Sequence, residues 1–227
     1  MKKTKIHPAW IAAGITFITL VASAGYRSAP SVLIVPLEEA FGWTRDQISL
    51  AVSVNILLYG LTAPFAAALM ERFTVRKVVL TALATVSAGA FLTIFMTKPW
   101  HLVLLWGVVV GIGTGSMALV FAATVASRWF IKRRGLVVGA LTAAAATGQL
   151  IFLPALSTLA MDHGWKSVSL TIGACAALVI PLIWWGLNEK PEDIGHRPIG
   201  APHDWVAPVR PQGNAARNAI RALREGS

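Results

Sequence analysis

Apolar residues run through this sequence in six long blocks: Trp10–Val35, Gln47–Met70, Val78–Thr97, Leu102–Ser127, Leu136–Ala160 and Val168–Leu187. Each holds about twenty or more mostly apolar residues, and a helix of that length crosses a hydrocarbon core roughly 30 Å thick at about 1.5 Å per residue. None shows the polar stripe of a helix that covers a soluble core. The pattern predicts an all-α membrane protein, with six transmembrane helices in residues 1–187 and a polar tail over 188–227. The composition, 56% hydrophobic and 13% charged, excludes an ordinary soluble domain. Trp10, Trp43, Trp100, Trp129, Trp165, Trp184 and Trp185 fall near block ends, where an amphipathic ring suits the membrane interface. The Lys-rich start and Ala22-Ser23-Ala24 imitate a cleavable secretory signal, but the apolar run resumes to Val35 and five more blocks follow.

Charge adds orientation. Lys2, Lys3 and Lys5, the second loop (Arg72, Arg76, Lys77), the fourth loop (Arg128, Lys132, Arg133, Arg134) and the tail carry most of the basic residues. The opposite loops hold only Arg45, Lys98 and Lys166. By the positive-inside rule, both termini are expected in the cytoplasm. The net charge of +10 is then mainly a topology signal. Nucleic acid is a poor partner for basic residues scattered over loops with no binding fold.

Within the blocks, Gly107, Gly111 and Gly115 recur every four residues on one helical face, with Gly135, Gly139 and Ala143 continuing the theme. Such faces let another backbone approach closely, for packing or for sliding. Arg27 is the one charged residue well inside a block, roughly 25 Å along the helix from Trp10. Unpaired, it costs about 2.5–3.5 kcal/mol, so it faces a watery cavity, finds a partner, or snorkels outward. In a cavity, its guanidinium can grip a carboxylate with two parallel hydrogen bonds. Tyr26 lies beside it and Pro30 follows one turn later. Asn55, Tyr59, Thr114, Ser116, Thr147 and Gln149 are the uncharged polar candidates, as helix glue or as cavity lining.

No Asp, Glu or His lies well inside a block, so the chain has no obvious proton carrier. It also lacks metal-ligand spacing, a nucleophile elbow and a phosphate-binding loop. No catalytic residue, metal or cofactor is expected.

The loop Glu71-Arg72-Phe73-Thr74-Val75-Arg76-Lys77 resembles the signature loop of the major facilitator superfamily, with Glu71 in place of its Asp and Thr74 in place of its second Gly. Four more segments occur in order: Phe41-Gly42-Trp43-Thr44-Arg45, Arg128-Trp129-Phe130 with Lys132-Arg133-Arg134-Gly135, Gly164-Trp165, and Lys190-Pro191-Glu192-Asp193-Ile194-Gly195. The set resembles bacterial members related to the monocarboxylate and oxalate–formate transporters. That resemblance implies a bacterial inner-membrane carrier of small organic anions. It implies twelve helices in two halves, each half built of two inverted three-helix repeats, with solute bound between the halves. It places Arg27, Tyr26, Thr114, Gly111 and Gly115 at or near the solute path, and turns Asn55 and Gln149 toward a second half. It gives Glu71, Arg72, Arg76, Lys77, Arg128, Arg133 and Arg134 to gating loops.

The tail is rich in proline and ends in Asn214–Arg224, where Arg217, Arg221 and Arg224 share helical spacing. It reads as a loose basic tail or as a short helix on anionic membrane lipid. In the resembled family this segment leads into a seventh span. The expectation is therefore the N-terminal half of a longer carrier. Its second six-helix half would come from the same gene or from a second copy in a homodimer. The alternative is a non-transporting membrane subunit that assembles with or regulates another carrier.

Overall fold

In the computed structural model, which describes residues 7–117, 119–202 and 205, six helices are long and apolar enough to cross a membrane. They are α1 (Pro8–Phe41), α2 (Arg45–Arg72), α3 (Val75–Phe95), α4 (Pro99–Trp129), α5 (Arg134–His163) and α6 (Trp165–Gly186). Each predicted block falls on one helix. The ends differ because hydropathy marks the membrane, whereas helices stop at caps. Thus α1 runs on through Glu38 and Glu39 until Gly42 takes φ 67°.

The caps are local and readable. Pro8 opens α1 behind His7, whose ring nitrogen accepts from the Ala9 amide at 3.2 Å. Thr44 and Gln47 form a reciprocal capping box on α2. The Thr74 hydroxyl accepts from the Lys77 amide at 3.2 Å and starts α3. α4 is less regular, with a π-helical stretch at Val103–Val110 and a turn at Met117. Gly107, Gly111, Gly113 and Gly115 crowd this stretch, and each glycine costs about 1 kcal/mol of helix propensity relative to alanine.

α1 lies against α5 and α6, α2 against α4, and α3 against α4 and α6. Small residues set the spacing. A Cβ on Gly148 of α5 would sit 2.6 Å from Val21 O and Ala24 Cβ of α1, and one on Gly25 of α1 would sit 3.0 Å from the Phe152 ring of α5. Between α3 and α6, the Ser87 hydroxyl donates to Gly173 O at 3.0 Å. Burial is unequal: 61% of the most apolar window of α1 is buried, but only 11% of that of α2 and 22% of that of α5. α2 exposes Leu50, Ile56, Leu57, Leu61 and Phe65; α5 exposes Leu136, Leu150, Ile151 and Leu153.

Beyond α6 the proline-rich chain has only a short 3-10 turn at Pro191–Ile194 among the described residues, yet it is pinned to the helices. Ile199 pairs in parallel with Phe130, donating to Trp129 O at 2.9 Å and accepting from the Ile131 amide at 3.0 Å. The His196 ring meets His7 edge-on at 5.6 Å. Lys2, Lys3, Lys5, Arg210 and the Asn214–Arg224 segment lie outside the described residues.

Candidate functional site

Arg27 is exposed on α1, and its partner is Tyr59 of α2. The guanidinium carbon lies 4.7 Å from the centre of the tyrosine ring, and Nη1 donates to the hydroxyl at 3.4 Å. No carboxylate pairs with Arg27 among the described residues. The guanidinium therefore keeps its charge and most of its donors uncommitted. A cation over an aromatic face returns about 0.5–2 kcal/mol, less than the cost of holding Arg within a span.

Tyr26 does not join this pair. Consecutive residues diverge by about 100° around a helix, and Tyr26 is buried to 2% exposure while Arg27 faces out. Its hydroxyl has no hydrogen-bond partner among the described residues. Thr114 is also buried, and its hydroxyl donates to Val110 O at 2.9 Å and Gly111 O at 3.2 Å of its own helix. Asn55 spans two helices, donating from Nδ2 to Trp106 O at 2.8 Å. Thr114 and Asn55 thus spend these donors on helix contacts. Gln149 stands exposed on α5.

The α4 glycines have a definite counterpart. Cβ atoms on Gly107, Gly111 and Gly115 would come within 3.1, 3.2 and 2.8 Å of Ala51, Asn55 and Tyr59, in that order. Those α2 residues are themselves four apart, so the two backbones run in step at close range. Gly135 and Gly139 differ. A Cβ on either meets nothing within 4 Å, so the packing expected of them does not occur among the described residues. The same four-residue spacing faces a helix in one case and open surroundings in the other.

At the end that bears the basic loops, Glu71 and Lys77 are exposed, Arg72 stacks on Phe73, and Arg76 stacks on Trp184 at 5.0 Å. Arg133 takes a left-handed φ of 62° ahead of α5, and Arg134 begins that helix, both exposed. The residue that organises this end is Glu189, which the sequence pattern does not single out. It accepts from the Val75 and Arg76 amides at 3.1 and 3.4 Å and pairs with Arg128 Nη1. Arg128 Nη2 also reaches Met70 O at 3.5 Å. One acid–base pair thus ties the α2–α3 loop, the end of α4 and the segment after α6. The signal available in sequence was weak: an acid beside Lys190-Pro191-Glu192-Asp193, far from its partners along the chain.

Residues 15–225 match the family model of the Major Facilitator Superfamily. The chain belongs to that superfamily. A relative described as an uncharacterized MFS-type transporter, YcxA of Bacillus subtilis, is 27% identical over 83% of this chain and 47% of its own length. Human monocarboxylate transporter 14 is 27% identical over 95% of this chain and 44% of its own length. The structure of the proton:xylose symporter XylE bound to 6-bromo-6-deoxy-D-glucose matches with a TM-score of 0.69 and 15% identity. That match covers 81% of this chain and 45% of the symporter. The chain spans about half the length of these curated relatives. It is a multi-pass membrane protein with a major-facilitator fold.

Proposed function

We propose that this superfamily member acts as one six-helix half of a secondary carrier that moves small organic anions, monocarboxylates among them, across a bacterial inner membrane. The observation that carries the reading is Arg27: a charged residue within a span, exposed, stacked on Tyr59 and unmatched by any acid among the described residues. Such a residue costs several kcal/mol unless a ligand or water receives it. The relatives named monocarboxylate transporters support the substrate class.

The second half is supported by the apolar faces of α2 and α5 and by the open Gly135 and Gly139. The helix pairing also fits inverted repeats. If α1–α3 is laid on α4–α6, the α1–α5 contact maps onto α4–α2, and α3–α6 maps onto itself. Both termini are assigned to the cytoplasm from the basic loops.

The test is initial-rate uptake of radiolabelled propionate by cells with the gene intact at its own locus, deleted, or carrying Arg27→Gln. Uptake lost in both altered strains supports the carrier. Uptake equal in all three, with the protein co-purifying with another carrier whose rate it changes, favours a regulatory subunit.

A further inference from the structure

Tyr59 belongs to α2, but its backbone is held by α4. A Cβ on Gly115 would lie 2.8 Å from Tyr59 O, 3.0 Å from Tyr59 Cα and 3.0 Å from Thr62 Cβ. Nothing bulkier than hydrogen fits there without moving α2 at the residue that carries the ring. The ring then lies under the Arg27 guanidinium, 4.7 Å from its carbon, and the hydroxyl engages Nη1.

That arrangement decides which part of Arg27 is available. Nη1 lies on the same side as Cδ, so the Nε–H and Nη2–H pair forms the opposite edge of the plane. With Nη1 turned to Tyr59, the Nε–Nη2 edge has no protein partner among the described residues. It is the fork that takes a carboxylate through two parallel hydrogen bonds.

We propose that Tyr59 is a positioning residue for Arg27 in a carboxylate subsite, its place set by the α4 contact at Gly115. This rests on the anion reading of Arg27 above. The geometry accounts for a feature that reading leaves open: a flexible arginine is held with one edge presented, which lowers the entropy lost when a ligand binds.

The experiment uses the full chain in lipid nanodiscs with 15N-labelled arginine, followed by NMR at the Arg27 side chain, with propionate as the probe. In wild type without ligand, restricted Arg27 gives separate Nη signals. In Tyr59→Leu they merge, and Gly115→Ala weakens their separation. Tyr59→Phe keeps the ring and its packing, so it carries the test if the other variants fail to fold. It is expected to bind propionate about fivefold more weakly for want of the hydrogen bond that holds Arg27 Nη1. Arg27 signals that are the same in Tyr59→Leu as in wild type, or a Tyr59→Phe affinity equal to wild type, overturn the proposal. A wild-type Arg27 that does not respond to propionate overturns the anion reading instead, while the ligand-free spectra still decide whether Tyr59 holds Arg27.

Discussion

At Glu189 one carboxylate serves three donors, two amides at the start of α3 and the guanidinium of Arg128, with only 14% and 19% of the two side chains exposed. Glu189→Gln leaves Arg128 without its counter-charge in a site with little water. The expected loss is about 1–3 kcal/mol, between the values for exposed and for buried pairs. Thermal unfolding in detergent, and faster amide exchange at Val75 and Arg76, measure it. His7, which meets His196 of the segment after α6, gives a pH dependence. Burial, and then the neighbouring His196, hold its imidazole below the ordinary value, while a hydrogen bond with the Arg197 backbone pulls the other way. The fold therefore binds fewer protons here than the unfolded chain does. The cap on Ala9 contributes fully above the ordinary pKa of about 6.5 and is lost as pH falls from there through the lowered one. Exchange at the Ala9 amide, corrected for its intrinsic rate, should rise in wild type as pH falls below the ordinary imidazole value. It should stay flat in His7→Asn, which keeps a capping oxygen but does not titrate.

Between elements, the decisive quantity is how closely backbones approach. Gly115→Ala forces a Cβ to 2.8 Å from Tyr59 O, so the α2–α4 contact must open, at an expected cost of about 1–3 kcal/mol. Gly139→Ala meets nothing within 4 Å and should be neutral or stabilising by up to about 1 kcal/mol, from helix propensity alone. Paired unfolding curves of the two variants test the contrast. The two glycines are indistinguishable in sequence, because spacing reveals a smooth stripe and not what lies against it. The helices themselves are legible from hydropathy, and Arg27 from its isolation. Its partner is not, since a Tyr59 contact depends on how α1 and α2 face each other. Glu189 is hidden for a similar reason, its contacts being 61 to 114 positions away in sequence.

As a whole, the molecule is lopsided: α1 buries most of its apolar window, whereas α2 and α5 bury little of theirs. In the proposed carrier these faces meet a second six-helix body, and Arg27 lies on the path between the two. Both the substrate class and the role of Tyr59 depend on the grip of Arg27 on an anion. That grip is tested most directly by competition at the level of initial uptake rate, with propionate and its neutral isostere propionamide as competitors against a radiolabelled monocarboxylate. Propionate is expected to compete in wild type while propionamide does not, and any uptake that Arg27→Gln retains is expected to show no such preference. Equal competition by the two compounds in wild type, or a carboxylate preference that survives Arg27→Gln, would contradict an anion site at Arg27.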